Sequence, residues 1–321
     1  MRILSALALA LCPALAACAV DTPSEQAATA SAQPARELMK WPALLSRKRP
    51  EPSTSVRYGE DQMQIVDLWL PAGKGPHPTV LMIHGGCWQT EIADRRIMNW
   101  IANDLRAHGI AVWNIDYRGV DRAGGGYPGT FQDTAAAADA LRSHAKTYNL
   151  DVSRVVAVGH SAGGHLALWL AARRSPKARP GNPLIPLDSP ILAADPLRID
   201  TVVSLGGLPD LELAATPPGS GCGTEVIEKL VGPATLSSRN VYADTSVPNL
   251  APLGVRQILI NGLQDRIIPT AYADEYARRM RAAGDKVTVR MVDRTGHVEL
   301  IAPETDAWKV AVREIEKALG R

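Results

Sequence analysis

Gly159-His160-Ser161-Ala162-Gly163 follows the apolar run RVVAV and leads into the stretch HLALWLA, so a G-x-S-x-G pattern stands between a strand and an amphipathic helix. In that setting the glycines allow a tight strand-to-helix turn that projects the Ser161 hydroxyl above a sheet, and the helix N-terminus aims N–H groups at any anion formed beside it. A serine hydroxyl is a weak nucleophile at neutral pH, so it needs a base and the base needs an orienting acid. Asp265 in LINGLQDRIIP and His297 in MVDRTGHVEL follow in the order acid then histidine, each in the loop after a strand-like run. Asp293, Glu299 and Asp210, the last after SLGGLP, are competing acids; Asp293 is expected to cap or turn its loop. His160 and His165 are expected to pack, His77, His108 and His144 to face solvent, and His84 to hold a turn through its ring.

Attack on a carbonyl creates an oxyanion that must meet preorganised donors. The stretch HGGCWQT, residues 84–90, leaves the apolar run PTVLMIH with two glycines, which let bare backbone approach a reacting carbon. The expected donors are the N–H groups of Gly86 and Cys87 together with that of Ala162, with Trp88 anchoring the loop by packing.

These groups need elements to place them. MQIVDLWLP (63–71), PTVLMIH (78–84), IAVWNIDYRG (110–119), RVVAVGH (154–160), DTVVSLGG (200–207), RQILING (256–262) and KVTVRMVD (286–293) alternate with helical stretches at 133–148, 272–283 and 304–319. Continuous apolar runs imply strands covered on both faces, and the alternation predicts an α/β fold: a mostly parallel central sheet wrapped by helices on both sides. Active groups then gather at the strands' carboxyl ends. Residues 208–253, rich in Pro, Gly, Ser and Asn with one short helical piece, form an insertion placed to act as a partial lid or as a plain surface excursion.

The chain has 321 residues, 46% of them hydrophobic, and a formal net charge of +2, with basic residues scattered among acids; nothing in this pattern suggests nucleic-acid binding. Residues 1–17 have the layout of a lipoprotein-type secretory signal, and Leu15-Ala16-Ala17-Cys18 resembles a bacterial lipobox whose cysteine carries lipid. Ala19 after it favours the outer membrane over inner-membrane retention, so the expected location is the periplasmic side of the envelope, with membrane contact through that anchor. Residues 18–50, including the charged SRKRPEP segment, read as a flexible tether, and 51–321 as the domain. With Cys12 removed and Cys18 lipidated, Cys87 and Cys222 remain, either bonded or as two free thiols. Cys and His show no metal-ligand spacing.

From about residue 56 to the C-terminus the chain resembles the α/β-hydrolase family. HGGCW matches the HGGxW motif of its kynurenine formamidase-like and feruloyl-esterase-like branch, close to hormone-sensitive-lipase-like esterases, which have a third glycine where Cys87 stands. DYRG (116–119) and YPGTFQD (127–133) are similar to that branch as well. The resemblance implies a cofactor-free hydrolase of small-molecule carboxylic esters or small amides acting through an acyl-enzyme. A carboxylesterase on small or aromatic acyl esters is the first reading, an aryl formamidase the second, and a non-catalytic binding protein on the same fold the third.

Overall fold

The computed structural model describes residues 37–178, 189–192, 195–235 and 240–321. Cys18 and the expected signal segment lie outside them. Eight strands form one sheet: β1 (Thr54–Arg57), β2 (Ile65–Trp69), β3 (His77–Ile83), β4 (Ala111–Ile115), β5 (Leu150–His160), β6 (Thr201–Leu205), β7 (Arg256–Gly262) and β8 (Lys286–Val292). Their spatial order is β1-β2-β4-β3-β5-β6-β7-β8. The pairings β1–β2 and β2–β4 are antiparallel and all those from β4 to β8 are parallel. This is the α/β-hydrolase fold.

The helices are α1 (Trp41–Leu45), α2 (Asn99–Ala107), α3 (Gly129–His144), α4 (Ala162–Ala172), α5 (Leu211–Ala214), α6 (Glu225–Val231), α7 (Ala271–Ala282) and α8 (Asp306–Leu319). The apolar runs are continuous because the sheet serves two cores. Leu81 and Ile83 of β3 join Phe131 of α3, Leu166 of α4 and Tyr276 of α7 in one. Their neighbours Val80 and Met82 join Ile101 of α2 and Trp308 of α8 in the other. With side chains alternating across the pleat, both faces are covered and most of their positions are apolar. Each fully buried aliphatic side chain contributes about 1.5–3 kcal/mol.

Two expectations change here. The segment after Ser161, read as amphipathic, is buried on every side, since α4 lies between the sheet, α3 and the turn Val247–Leu250 of the insertion. The tether also ends earlier than residue 50. From Glu37 onward the chain belongs to the compact unit, with α1 carrying a fully buried Leu44. The charged SRKRPEP segment is likewise fastened down: Arg47 pairs with Glu304 (Nη1–Oε2 2.9 Å), while Asn99 Nδ2 and Trp100 Nε1 donate to the carbonyls of Pro50 (2.9 Å) and Lys48 (3.2 Å). Its partners lie 49 to 257 residues away in sequence, so composition alone suggested a linker.

The insertion, too, is more core than lid. Leu211, Ile227, Leu230, Val247 and Leu250 are fully buried. His77, expected at the surface, starts β3 and is buried.

Candidate active site

Ser161 sits between β5 and α4 with φ 54° and ψ −122°, a conformation that costs a non-glycine residue about 1–3 kcal/mol and persists only where neighbours over-determine it. They do so here. The Ser161 N–H donates to Leu205 O on β6 (2.8 Å), and its carbonyl accepts from Gly164 N (2.8 Å). At Gly163 a Cβ would stand 2.3 Å from Ile83 O and 2.4 Å from His84 O, so the second glycine of the motif is required by the end of β3 pressing against the turn. Gly85 is needed for the same kind of reason, because a Cβ there would come within 2.8 Å of the Ser161 Cβ.

The loop after β3 turns through three successive residues with positive φ: Gly86 (107°), Cys87 (51°) and Trp88 (54°). Among the described residues, the N–H groups of Gly86, Cys87 and Ala162 donate to no protein acceptor. This leaves them available to an outside oxygen. Several contacts hold the loop. Trp88 is fully buried, edge-on to His165 at 5.6 Å. His165 donates through Nε2 to Thr245 O (2.9 Å), and burial lowers its pKa to about 4, so the ring packs as a neutral group. His84 bridges Gly85 O (Nδ1, 2.6 Å) and Asp116 Oδ1 (Nε2, 2.9 Å) and stacks on Tyr117 at 4.3 Å. Asp116 is in turn anchored by Arg95 (2.9 Å), and Asp133 grips Arg118 (2.7 Å). The DYRG and YPGTFQD motifs thus act as the loop's scaffold, a role their sequence did not disclose.

Cys87 and Cys222 are bonded, with Cα atoms 5.5 Å apart. Next to this link Gly221 N donates to Ile267 O (2.7 Å), so the 221–222 turn ties the loop after β3 to the loop after β7. A bond closing 135 residues restricts the unfolded chain, and its removal is expected to cost about 2–5 kcal/mol. Mass spectrometry of a non-reduced digest should therefore find the Cys87 and Cys222 peptides joined. Chemical denaturation of Cys222→Ala should show that loss of stability, and two separate unmodified peptides would refute both expectations.

Asp265 and His297 come from neighbouring loops laced together by Leu263 N to Val292 O (2.9 Å), Gln264 N to Thr295 O (3.0 Å) and Thr295 N to Gln264 Oε1 (3.0 Å). His297 Nδ1 lies 2.6 Å from Asp265 Oδ2. Because a carboxylate accepts, Nδ1 carries the proton and Nε2 keeps the lone pair. The other oxygen, Asp265 Oδ1, accepts from Ile267 N (2.8 Å) and Ile268 N (2.9 Å), which fixes the carboxylate plane. The competing acids are engaged elsewhere. Asp210 binds Arg279 and caps α5 through Leu213 N, Asp293 is exposed and turns its loop through Arg294 N, and Glu299 accepts from the N–H groups of Met39 and Gly296.

Ser161, His297, Gly86 and Cys87 all line one cavity of about 560 Å³. Sequence reasoning missed three of its walls. His160, taken as packing only, also lines the cavity; its Nε2 donates to His297 O (3.1 Å) and its ring lies 4.4 Å from that of His297. Burial holds its pKa well below the usual histidine range, so a neutral ring braces the base's backbone. Trp41, 6.3 Å from both histidine rings, and Arg49 come from the segment read as tether. Among the described residues of the insertion, only Cys87's partner turn reaches the cavity, through Gly221.

A strained serine hydroxyl, an imidazole bonded to a buried carboxylate, and three free N–H groups around one cavity form a set suited to acyl transfer. Residues 66–280 match the BD-FAE family model. The chain belongs to the BD-FAE family. The curated relatives of this BD-FAE chain include the probable isoprenylcysteine alpha-carbonyl methylesterase ICMEL1 of Arabidopsis thaliana, 24% identical over 77% of this chain and 51% of that protein. Another is the carboxylesterase NlhH of Mycobacterium tuberculosis, 29% identical over 42% of each chain. The chain thus spans about half the length or less of these relatives. Among solved structures it is similar to esterase B from Lactobacillus Rhamnosis, with a TM-score of 0.70, 19% identity, and 87% of this chain and 90% of that one covered. A truncated carbohydrate esterase from gut microbiota aligns with a TM-score of 0.65 and 21% identity over 84% and 98%.

Proposed function

We propose that this BD-FAE chain is a serine carboxylesterase acting on small or aromatic acyl esters. The observation that carries the reading is Ser161 held at φ 54° on the edge of the cavity lined by His297, whose Nδ1 is bonded to Asp265. Ser161 Oγ attacks the ester carbonyl as His297 Nε2 takes its proton, and the N–H groups of Gly86, Cys87 and Ala162 receive the oxyanion. His297 then delivers the proton to the departing alcohol. Water, activated by the same imidazole, releases the acid from the acyl-enzyme. Asp265 keeps His297 in the accepting tautomer and stabilises the imidazolium. The esterase names among the curated and structural relatives support the class of reaction.

A fluorophosphonate probe tests this directly. It should label one site per chain, on the peptide containing Ser161, with parallel loss of p-nitrophenyl acetate hydrolysis. Labelling elsewhere, or full inhibition with Ser161 unmodified, would reject the assignment. We also propose lipid attachment at Cys18 on the periplasmic side of the envelope, from the Leu-Ala-Ala-Cys run alone. Mass analysis of the mature N-terminus would find a diacylated or triacylated cysteine there.

A further inference from the structure

Among the cavity's charged residues Arg49 stands apart. Asp94 occupies the Arg96 fork (Nε–Oδ2 2.9 Å), and Arg47, two residues before Arg49, is engaged by Glu304. Arg49 pairs with no carboxylate among the described residues, and its buried Nε has no hydrogen-bond partner. Its backbone is nevertheless fixed on both sides by the bonds from Trp100 to Lys48 O and from Asn99 to Pro50 O. The guanidinium carbon lies 5.4 Å from the centroid of the Trp100 ring, so the side chain rests on an aromatic platform while bordering the cavity that holds Ser161 and His297. Glu91 also borders the cavity, but it is exposed, so solvent screens its charge.

Leaving a guanidinium N–H buried and unpaired is unfavourable in the free protein. With no carboxylate of the chain beside it among the described residues, the guanidinium is left to take an anion from the cavity it borders, and the planar fork of arginine matches a carboxylate. We propose that Arg49 is a specificity determinant of this site and pairs with a free carboxylate carried by the ester substrate. The inference rests on the esterase reading above and names the substrate class within it: acidic esters, with the charge on either the acyl or the alcohol part.

The test compares kcat/KM for charged and neutral esters in wild-type protein, Arg49→Met and Arg49→Lys. On the acyl side, p-nitrophenyl hemiesters of succinic, glutaric and adipic acids are set against p-nitrophenyl pentanoate, hexanoate and heptanoate. On the alcohol side, 4-acetoxybenzoate is set against phenyl acetate. In at least one series the charged-to-neutral ratio should fall by about 10- to 100-fold in Arg49→Met, the range of a charge-assisted hydrogen bond. Arg49→Lys should recover part of the loss, and the series affected tells which side bears the charge. In wild-type protein the same ratio should fall between 20 and 500 mM NaCl, a reading that stands even if the methionine variant does not fold. Ratios within threefold of wild type in both series, or a wild-type ratio insensitive to salt, would overturn the role of Arg49. Absence of turnover on the neutral esters would instead count against the esterase reading itself.

Discussion

Ser161→Ala should lower kcat for p-nitrophenyl acetate by about 10⁴- to 10⁶-fold, with the melting temperature nearly unchanged. The size follows from what the hydroxyl does. Without Oγ no acyl-enzyme forms, and the residual rate over water comes only from binding and the oxyanion donors, so loss of the nucleophile removes almost the whole advantage of the set. The small effect on stability follows from the turn. Alanine carries the same Cβ as serine into φ 54°, the bonds to Leu205 O and from Gly164 N involve backbone alone, and no side-chain hydrogen bond from Ser161 caps α4. Structural collapse is therefore not an available explanation for lost turnover. If Ser161→Ala kept a kcat within tenfold of wild type, the nucleophile would have to be sought elsewhere.

Asp265→Asn should cost about 10³- to 10⁴-fold in kcat, and the reason lies in the two N–H groups behind the carboxylate. Ile267 N and Ile268 N both donate to Oδ1 and accept nothing, so an asparagine must present its oxygen to them. Its NH₂ then faces His297 Nδ1, at the position where Oδ2 now lies 2.6 Å away. A donor in that place forces Nδ1 to accept, which moves the imidazole proton to Nε2 and leaves nothing to take the proton from Ser161. The loop is preserved and the tautomer is reversed. Steady-state kinetics, together with nitrogen NMR of labelled histidine, would see both effects. A variant with near-normal kcat, or with the proton still on Nδ1, would show that Asp265 does not orient the base.

Much of this site was legible in the linear chain because its determinants are local. GHSAG lies between an apolar strand and a helix, so the turn could be read from the chain, although β6 and the end of β3 hold the strain at Ser161 in place. Asp265 and His297 were recognisable by falling at strand ends, since a parallel sheet brings successive carboxyl ends to one rim. The two-faced apolar runs determined the layered architecture, because each strand had to feed two cores at once. HGGCW likewise announced a loop of bare backbone.

Tertiary structure alone decided what closes over that rim. Residues 37–50 are short, proline-broken and charged, which is the composition of a linker, yet Glu299, Glu304, Asn99 and Trp100 fasten them to the domain from far along the chain. Asp210 matched Asp265 in position after a strand, and it is Arg279 on α7 that takes it away from His297. The choice between two free thiols and a bond is one of distance, and the fold sets the Cys87 and Cys222 Cα atoms 5.5 Å apart. Periodicity and local motifs report how a segment folds on itself and which face it buries. Partners separated by tens to hundreds of residues meet only when the sheet forms, and here those meetings place Trp41 and Arg49 around the serine and set His160 against His297.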